Sequence, residues 1–308
     1  MEYVYTYACH EDEQALCHLE LRTLLGAAPQ AGGRFVRSTR RIDPSRSPFL
    51  KLRLEVQCSA GSLEGLAEQA QTLTVKGSTF KVVFAETDAA VSYDRQREIE
   101  RELGRHIRGK ADMRRPEQRF AATLLEGRWL LGEAVSSEAL WLRHQQKPQN
   151  YSTALSTRVA RAVVNIAVPE VTGTQAIDPC CGIGTVLVEA MSMGIDIVGV
   201  DLNPLAVRGA RVNLDHFGMP SKVSLADMRT LTGRYDALIL DMPYNLCSKL
   251  PEAQQLEMLQ SASRLAKRAV IISTEPIDRL VEEAGFRIVD GCIVHKSRFS
   301  RQLWVAES

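Results

Sequence analysis

Asp178-Pro179-Cys180-Cys181-Gly182-Ile183-Gly184-Thr185 is the stretch that decides how this chain of 308 residues folds. The apolar segment 175–178 leading into it reads as a short strand, and 185–193 behind it carries helical spacing. A strand that passes through a glycine-rich turn into a helix is the unit of an open α/β sheet, where ligands lie outside the carboxyl ends of the strands. The same alternation continues downstream. Segments 197–201, 222–227, 235–241 and 268–273 read as strands, and 204–217, 252–266 and 277–284 between them read as helices. Two further β-like runs, 287–295 and 302–306, are joined too tightly for a crossover, so at least one must run antiparallel. Residues 146–308 are therefore expected to form a Rossmann-like α/β domain with a mostly parallel, seven-stranded sheet.

Upstream the pattern differs. Tyr3, Tyr5 and Tyr7 alternate with Val4, Thr6 and Ala8. Glu11-Asp12-Glu13 opens an amphipathic stretch with Leu16, Leu19 and Leu24, and acids in a first turn suit the helix dipole. After the break at Gly32-Gly33, Leu50, Leu52, Leu54 and Val56 alternate again. Ser62 fits the N-cap of a short helix, and 80–84 reads as a strand. Strand, helix, strand, strand, helix, strand is the ferredoxin-like order, expected for residues 1–88. Residues 89–145 form a second small α+β unit: Ser92 or Asp94 caps a helix bearing Ile99, Leu103 and Ile107, and β-like runs 120–125 and 129–135 flank Glu126-Gly127-Arg128. The polar stretch 143–150, with Pro148, reads as a linker.

Composition narrows the class. The apolar and charged fractions, 45% and 24%, are those of an ordinary soluble protein. The N-terminus shows no basic segment followed by an apolar one, and no apolar run approaches the roughly 20 residues of a membrane span. The seven cysteines are scattered and make no Cys-x-x-Cys pair, which argues against a disulfide framework and a zinc site. A reduced, cytoplasmic protein with no metal and no membrane partner is expected. Net charge is +1, so any polyanion must be met locally. Residues 34–53 hold seven basic side chains against Asp43, and 105–119 hold six against Asp112 and Glu117. Both runs serve equally as solvated surface or as phosphate-binding patches.

The chemistry concentrates at the strand ends. Gly182 and Gly184 lack a Cβ and let a ligand lie against the backbone. A dinucleotide fingerprint would place a third glycine where Leu187 stands. Asp178, just before the turn, would repel a diphosphate but can pair with an ammonium, such as that of S-adenosylmethionine. Asp201, at the next strand end, can accept from ribose hydroxyls. Asp227 can accept from an adenine amino group, with Met228 beside the ring. Singly, each acid also fits a helix cap; three in succession after the glycine turn favour a ligand. Asp241-Met242-Pro243-Tyr244 ends the fourth strand. A nucleobase amino group has its lone pair delocalised into the ring. The Asp241 carboxylate and a carbonyl at Met242 or Pro243 can hold its two N–H bonds and aim that lone pair. Pro243 stiffens the turn, and Tyr244 offers a flat face to an extruded base.

These residues resemble the THUMP-containing RNA guanine-N2 methyltransferases. Asp178 to Thr185 matches that family's cofactor loop. Tyr151-Ser152-Thr153-Ala154-Leu155 through Arg158, Arg161 and Asn165 is similar to the helix ahead of it. Gly109-Lys110-Ala111-Asp112-Met113-Arg114 is similar to the core of a THUMP domain. The resemblance implies a class I methyltransferase domain behind a ferredoxin-like and a THUMP-like unit. It implies S-adenosylmethionine held by Asp178, Pro179, Cys180, Gly182, Gly184, Thr185, Asp201, Leu202, Asp227 and Met228. It implies catalysis by Asp241, Pro243 and Tyr244, and contact between Arg108, Lys110 and Arg114 and an RNA backbone, tRNA first. Met242 stands where adenine-N6 enzymes carry a proline, which leans towards guanine, and Asn245 replaces a frequent glycine. Adenine-N6 methylation of RNA or DNA, guanine-N2 methylation of rRNA, and a non-catalytic RNA-binding module are the alternatives.

Overall fold

A computed structural model describes residues 1–30, 33–85, 91–151, 154–243, 250–296 and 299–308. The chain divides into two compact units, Met1–Cys9 with Leu24–Glu138, and His10–Thr23 with Ala139–Ser308. In chain order the elements are β1 (Tyr3–Tyr7), α1 (Gln14–Leu25), β2 (Phe35–Ser38), β3 (Leu50–Ala60), α2 (Leu63–Ala70), β4 (Thr74–Phe84), α3 (Tyr93–His106), β5 (Arg108–Ala111), β6 (Gln118–Leu125) and β7 (Arg128–Ser136). There follow α4 (Trp141–His144), α5 (Thr157–Ala167), β8 (Gln175–Asp178), α6 (Thr185–Ser192), β9 (Asp196–Asp201), α7 (Pro204–His216), β10 (Val223–Leu225), β11 (Tyr235–Asp241), α8 (Glu252–Leu265), β12 (Ala266–Ser273), α9 (Asp278–Glu283), β13 (Arg287–Lys296) and β14 (Phe299–Glu307).

The first unit holds one seven-stranded sheet, ordered β2-β1-β3-β7-β6-β4-β5. Up to β4 the chain follows the expected strand-helix-strand-strand-helix-strand order, but most of α1 belongs to the second unit. The pairing differs from a closed ferredoxin-like unit. β4 takes both its partners, β5 and β6, from the segment expected to stand apart, and β6 and β7 lie between β3 and β4. The strands of 1–88 and 89–145 thus share a sheet. The reason is burial: Phe80 of β4, Phe120 of β6 and Leu131 of β7 share one core with Leu66 of α2 and Leu103 of α3. Ser62 and Ser92 cap α2 and α3, accepting from the Gly65 and Arg95 amides.

The second unit holds the other sheet, ordered β10-β9-β8-β11-β12-β14-β13. Its first five strands are parallel, and β14 runs antiparallel to both β12 and β13. Leu238 and Leu240 of β11, Ile271 of β12 and Leu259 of α8 are buried in its core. The order reverses between β8 and β11, since β9 and β10 extend to one side and β12 to the other. That switch point opens a crevice at the carboxyl ends of β8 and β11.

Residues 143–150 are no free linker. His144 and Lys147 are buried, and the His144 ring meets Glu189 Oε1 at 2.7 Å. Segment 10–23 is part of the same unit: Asn165 donates to Glu20 Oε1 at 2.6 Å, and Arg22 makes a two-pronged bond to Asp290 at 2.7 and 2.6 Å. Among the described residues no helix is long and apolar enough to cross a membrane.

Candidate functional site

Backbone conformation fixes the turn after β8. Gly182 and Gly184 have φ of +53° and +79°, the left-handed region that side chains with a Cβ avoid. A Cβ on Gly184 would also press on Ala210 at 3.2 Å, so the turn lies close against α7. A Cβ on Gly182 would meet nothing within 4 Å. Gly199 has a different reason to be glycine: a Cβ there would lie 2.5 Å from Leu187 Cδ1 and 3.0 Å from Cys181 Sγ, so β9 could not accept the loop and α6 so closely.

A cavity of about 680 Å³ opens above these strand ends. Asp178, Pro179, Cys180, Gly182, Thr185, Asp201, Leu202, Asp227, Met228, Asp241 and Pro243 line it. Gly184 does not line it and serves the turn. Tyr244, Asn245 and the rest of 244–249 lie outside the described residues.

Each acid is held differently. Asp178 is 3% exposed and accepts from the Cys180 amide at 3.2 Å. Burial, with Asp241 and Asp201 nearby, pushes its carboxyl well above the usual range. Asp201 accepts from the Gly182 and Asn203 amides, one on each oxygen, both at 2.8 Å. It does not cap α7; Asn203 does, accepting from the Leu205 amide at 2.9 Å ahead of Pro204. Asp227 does act as a cap, on the turn Met228–Thr230, and its carboxylate is gripped by the Arg229 guanidinium at 2.6 Å. The Arg229 bonds hold its carboxyl below the usual range. Asp241 Oδ1 is shielded from solvent and has no hydrogen-bond partner among the described residues. Burial pushes this carboxyl up to about 7, with the Arg301 charge pulling weakly the other way. Thr185 Oγ1 is likewise shielded and unpartnered among the described residues.

The two cysteines of the loop are thiols in an acid-rich, buried setting. Burial raises both well above the ordinary thiol range, and neighbouring carboxylates add to it. Cys180 Sγ lies 3.7 Å from Met228 Sδ on the cavity wall.

Several wall residues escaped sequence reading. Arg229 sits two positions after an acid, a spacing that signals a local ion pair. Asn203-Pro204 is a helix-start signal that frees Asp201. Gln254 and Met258 of α8, and Leu250 two residues ahead of it, reach the cavity, which no local motif announces.

The two arginine-rich runs of the first unit part company. In 34–53, Arg53 is buried, donates to the Ile42 carbonyl at 3.0 Å and lies over the Tyr3 ring. Arg37 pairs with Glu2 and Glu126. In 105–119, Arg108 and Lys110 are exposed on edge strand β5. Asp112 accepts from the Arg114 and Arg115 amides at 2.8 and 3.0 Å, a turn that leaves both arginines exposed. Among the described residues Arg108, Lys110 and Arg114 have no ion-pair partner.

Sheet order, glycine turn and strand-end acids define the class I, Rossmann-like methyltransferase fold. Residues 144–284 match the family described as RMKL-like, methyltransferase domain. TrmN from Thermus thermophilus has the same fold, with a TM-score of 0.50 and 18% identity over the whole of both chains. The chain is 31% identical over 207 residues to a tRNA (guanine(10)-N2)-dimethyltransferase of Methanothermobacter thermautotrophicus, covering 61% of each chain. It is 26% identical over 194 residues to the U6 snRNA (guanine-N(2))-methyltransferase THUMPD2 of Mus musculus, covering 59% of this chain and 35% of that one. The chain thus spans about three-fifths, or less, of these curated relatives.

Proposed function

We propose that the protein transfers a methyl group from S-adenosylmethionine to the exocyclic N2 amino group of a guanosine in RNA, with tRNA as the first candidate. The observation that carries this is Asp241: a carboxylate at the sheet's switch point, on the cavity wall, with one shielded oxygen lacking a hydrogen-bond partner among the described residues. An unsatisfied buried acceptor costs about 1–3 kcal/mol and is retained where it has work to do. Relatives named for guanine-N2 methylation of tRNA and of U6 snRNA support the base and the polymer.

The wall fits the cofactor. Open space at Gly182 leaves room for a ligand against the backbone. Asp178 would take the ammonium of the methionine portion, and Thr185 Oγ1 supplies an unused polar atom beside it. Asp201 keeps lone pairs for ribose hydroxyls, since each oxygen accepts only one described bond. Asp227 faces the adenine end with Arg229 attached, and Met228 offers an apolar contact. The bound cofactor supplies a methyl group already activated by a positive sulfur.

The chain's own part is orientation and proton control. Asp241 accepts one N–H of the guanine amino group, and a carbonyl of Met242 or Pro243 accepts the other. Held so, the nitrogen lone pair points away from the ring plane, and orientation of this kind contributes several kcal/mol. Asp241 then takes the proton released from nitrogen, a role suited to a carboxyl near 7. Pro243 keeps the turn stiff, and Tyr244 is assigned to the face of the base. Arg108, Lys110 and Arg114 are assigned to RNA phosphates.

The test is methyl transfer from labelled cofactor to tRNA transcripts and total RNA, followed by nucleoside analysis. N2-methylguanosine is the expected product. N6-methyladenosine as the product, or no transfer by a protein that binds the cofactor and RNA, would overturn the assignment.

A further inference from the structure

Residues 147–151 link two places that matter. Their far end, Tyr151, lines the cavity, as do Ala154 and Leu155. Their near end is bonded to Asn213. Asn213 of α7 is wholly buried. Its Oδ1 accepts from the Gln149 amide at 2.9 Å, and its Nδ2 donates to the Gln149 carbonyl at 3.1 Å and to the Ile183 carbonyl at 2.9 Å. Ile183 lies inside the glycine loop. One carboxamide therefore bonds the strap ahead of the wall and the cofactor loop together. An amide group fits this task because it alone offers an acceptor and two donors on one planar head. The packing agrees: a Cβ on Gly209, one turn earlier in α7, would meet Ile183 Cγ2 at 3.1 Å and the Gln149 side chain at 3.7 Å. Helix, strap and loop thus meet at one point.

We infer that Asn213 is a positioning residue of the cofactor site, holding strap and loop at the separation at which Tyr151 and the glycine turn both line the cavity. The inference rests on the cavity being the cofactor site. Asn213 touches no reacting group. Its loss loosens the wall and so weakens cofactor binding, while turnover at saturating cofactor survives.

The experiment uses the full chain and S-adenosylhomocysteine as probe. Asn213→Ala orphans the Gln149 amide and two carbonyls, so its dissociation constant should rise about ten- to hundredfold. Turnover at saturating cofactor should fall no more than about threefold, the split expected when binding alone is lost. The Gln149 amide, which donates to Asn213 Oδ1 in the native fold, should exchange with deuterium faster in Asn213→Ala than in wild type even without ligand. Leu214→Ala, a buried neighbour on the same helix outside the strap, controls for general loss of stability: it should lower the melting temperature and leave the dissociation constant within about threefold. Should Asn213→Ala fail to fold, Asn213→Ser, which keeps a hydroxyl for one of the bonds, should show an intermediate rise. Wild-type affinity in Asn213→Ala, or an equal loss in Leu214→Ala, would overturn the inference. A wild-type protein that binds no S-adenosylhomocysteine while its Gln149 amide is protected from exchange overturns the cofactor assignment and the inference with it.

Discussion

Asp241 concentrates the chemistry and also a cost to the fold. Its carboxyl is pushed up to about 7 by burial, against an ordinary 3.8. The folded state therefore binds the proton more tightly than the unfolded chain. Between those two values stability falls as pH rises, because the unfolded chain ionises freely while the native form can do so only by leaving a charge in a buried site. Asp241→Asn removes that charge and keeps the shape. Its melting temperature at pH 8 should exceed that of wild type, with the difference vanishing near pH 4. Methyl transfer should fall by about a hundredfold or more, since an amide cannot take up the proton released from the guanine nitrogen. Cofactor affinity should stay within about threefold. In the wild type, turnover should climb with pH through about 7 and level off above, as the acceptor form fills. Calorimetric melts and a pH-rate profile check both halves; a variant with wild-type turnover, or a profile flat from pH 5.5 to 8.5, would refute the role.

Elements place what single residues cannot. Strands β8, β9 and β11 were legible because each is a short apolar run closed by an acid, and the glycine turn after β8 names the sheet edge where ligands bind. The partners of β4 were not legible, because pairing is set by which hydrophobic faces meet over long sequence separations. Phe120 and Leu131 belong to the same core as Phe80 only once the chain has turned back. Residues 143–150 looked like a linker for a related reason: their polarity is real, but Glu189 and Asn213, which satisfy it, lie about 45 and 64 positions away. Charge runs divide the same way. Arg53 and Arg37 are used inside the fold, whereas β5 and the turn after it leave Arg108, Lys110 and Arg114 open. Lys110→Ala and Arg114→Ala should each weaken RNA binding across sequences and lower the slope of log affinity on log salt by about one. Arg53→Ala should instead lower the melting temperature. Titrations at several salt concentrations decide it: an unchanged slope in both edge variants would remove this strand from the RNA surface.

At the scale of the whole molecule, the two units are not consecutive in sequence. The second unit takes residues 10–23 from near the N-terminus and then resumes at 139. Leu16, Leu19 and Leu21 of that early segment are wholly buried. Glu20 meets Asn165, Arg22 meets Asp290 and Glu13 meets Arg158, all within the unit. Burying one such leucine contributes about 1.5–3 kcal/mol, and a domain's net stability is about 5–15 kcal/mol. Three leucines and a buried Glu20–Asn165 bond thus weigh as much as much of the unit's margin. A cut at the apparent domain boundary would remove the buried Glu20 carboxylate to which Asn165 donates, a further cost. The fragment 139–308 should therefore be strongly destabilised, with a melting temperature lower than that of the full chain by ten degrees or more at about 4 °C or less per kcal/mol. Adding a peptide of residues 8–26 should restore part of the loss in a concentration-dependent way, since a ligand that binds only the folded state stabilises it by mass action. Glu20→Ala in the peptide should blunt that rescue. A fragment as stable as the intact chain, indifferent to the peptide, would show that the early helix rides on the unit without supporting it.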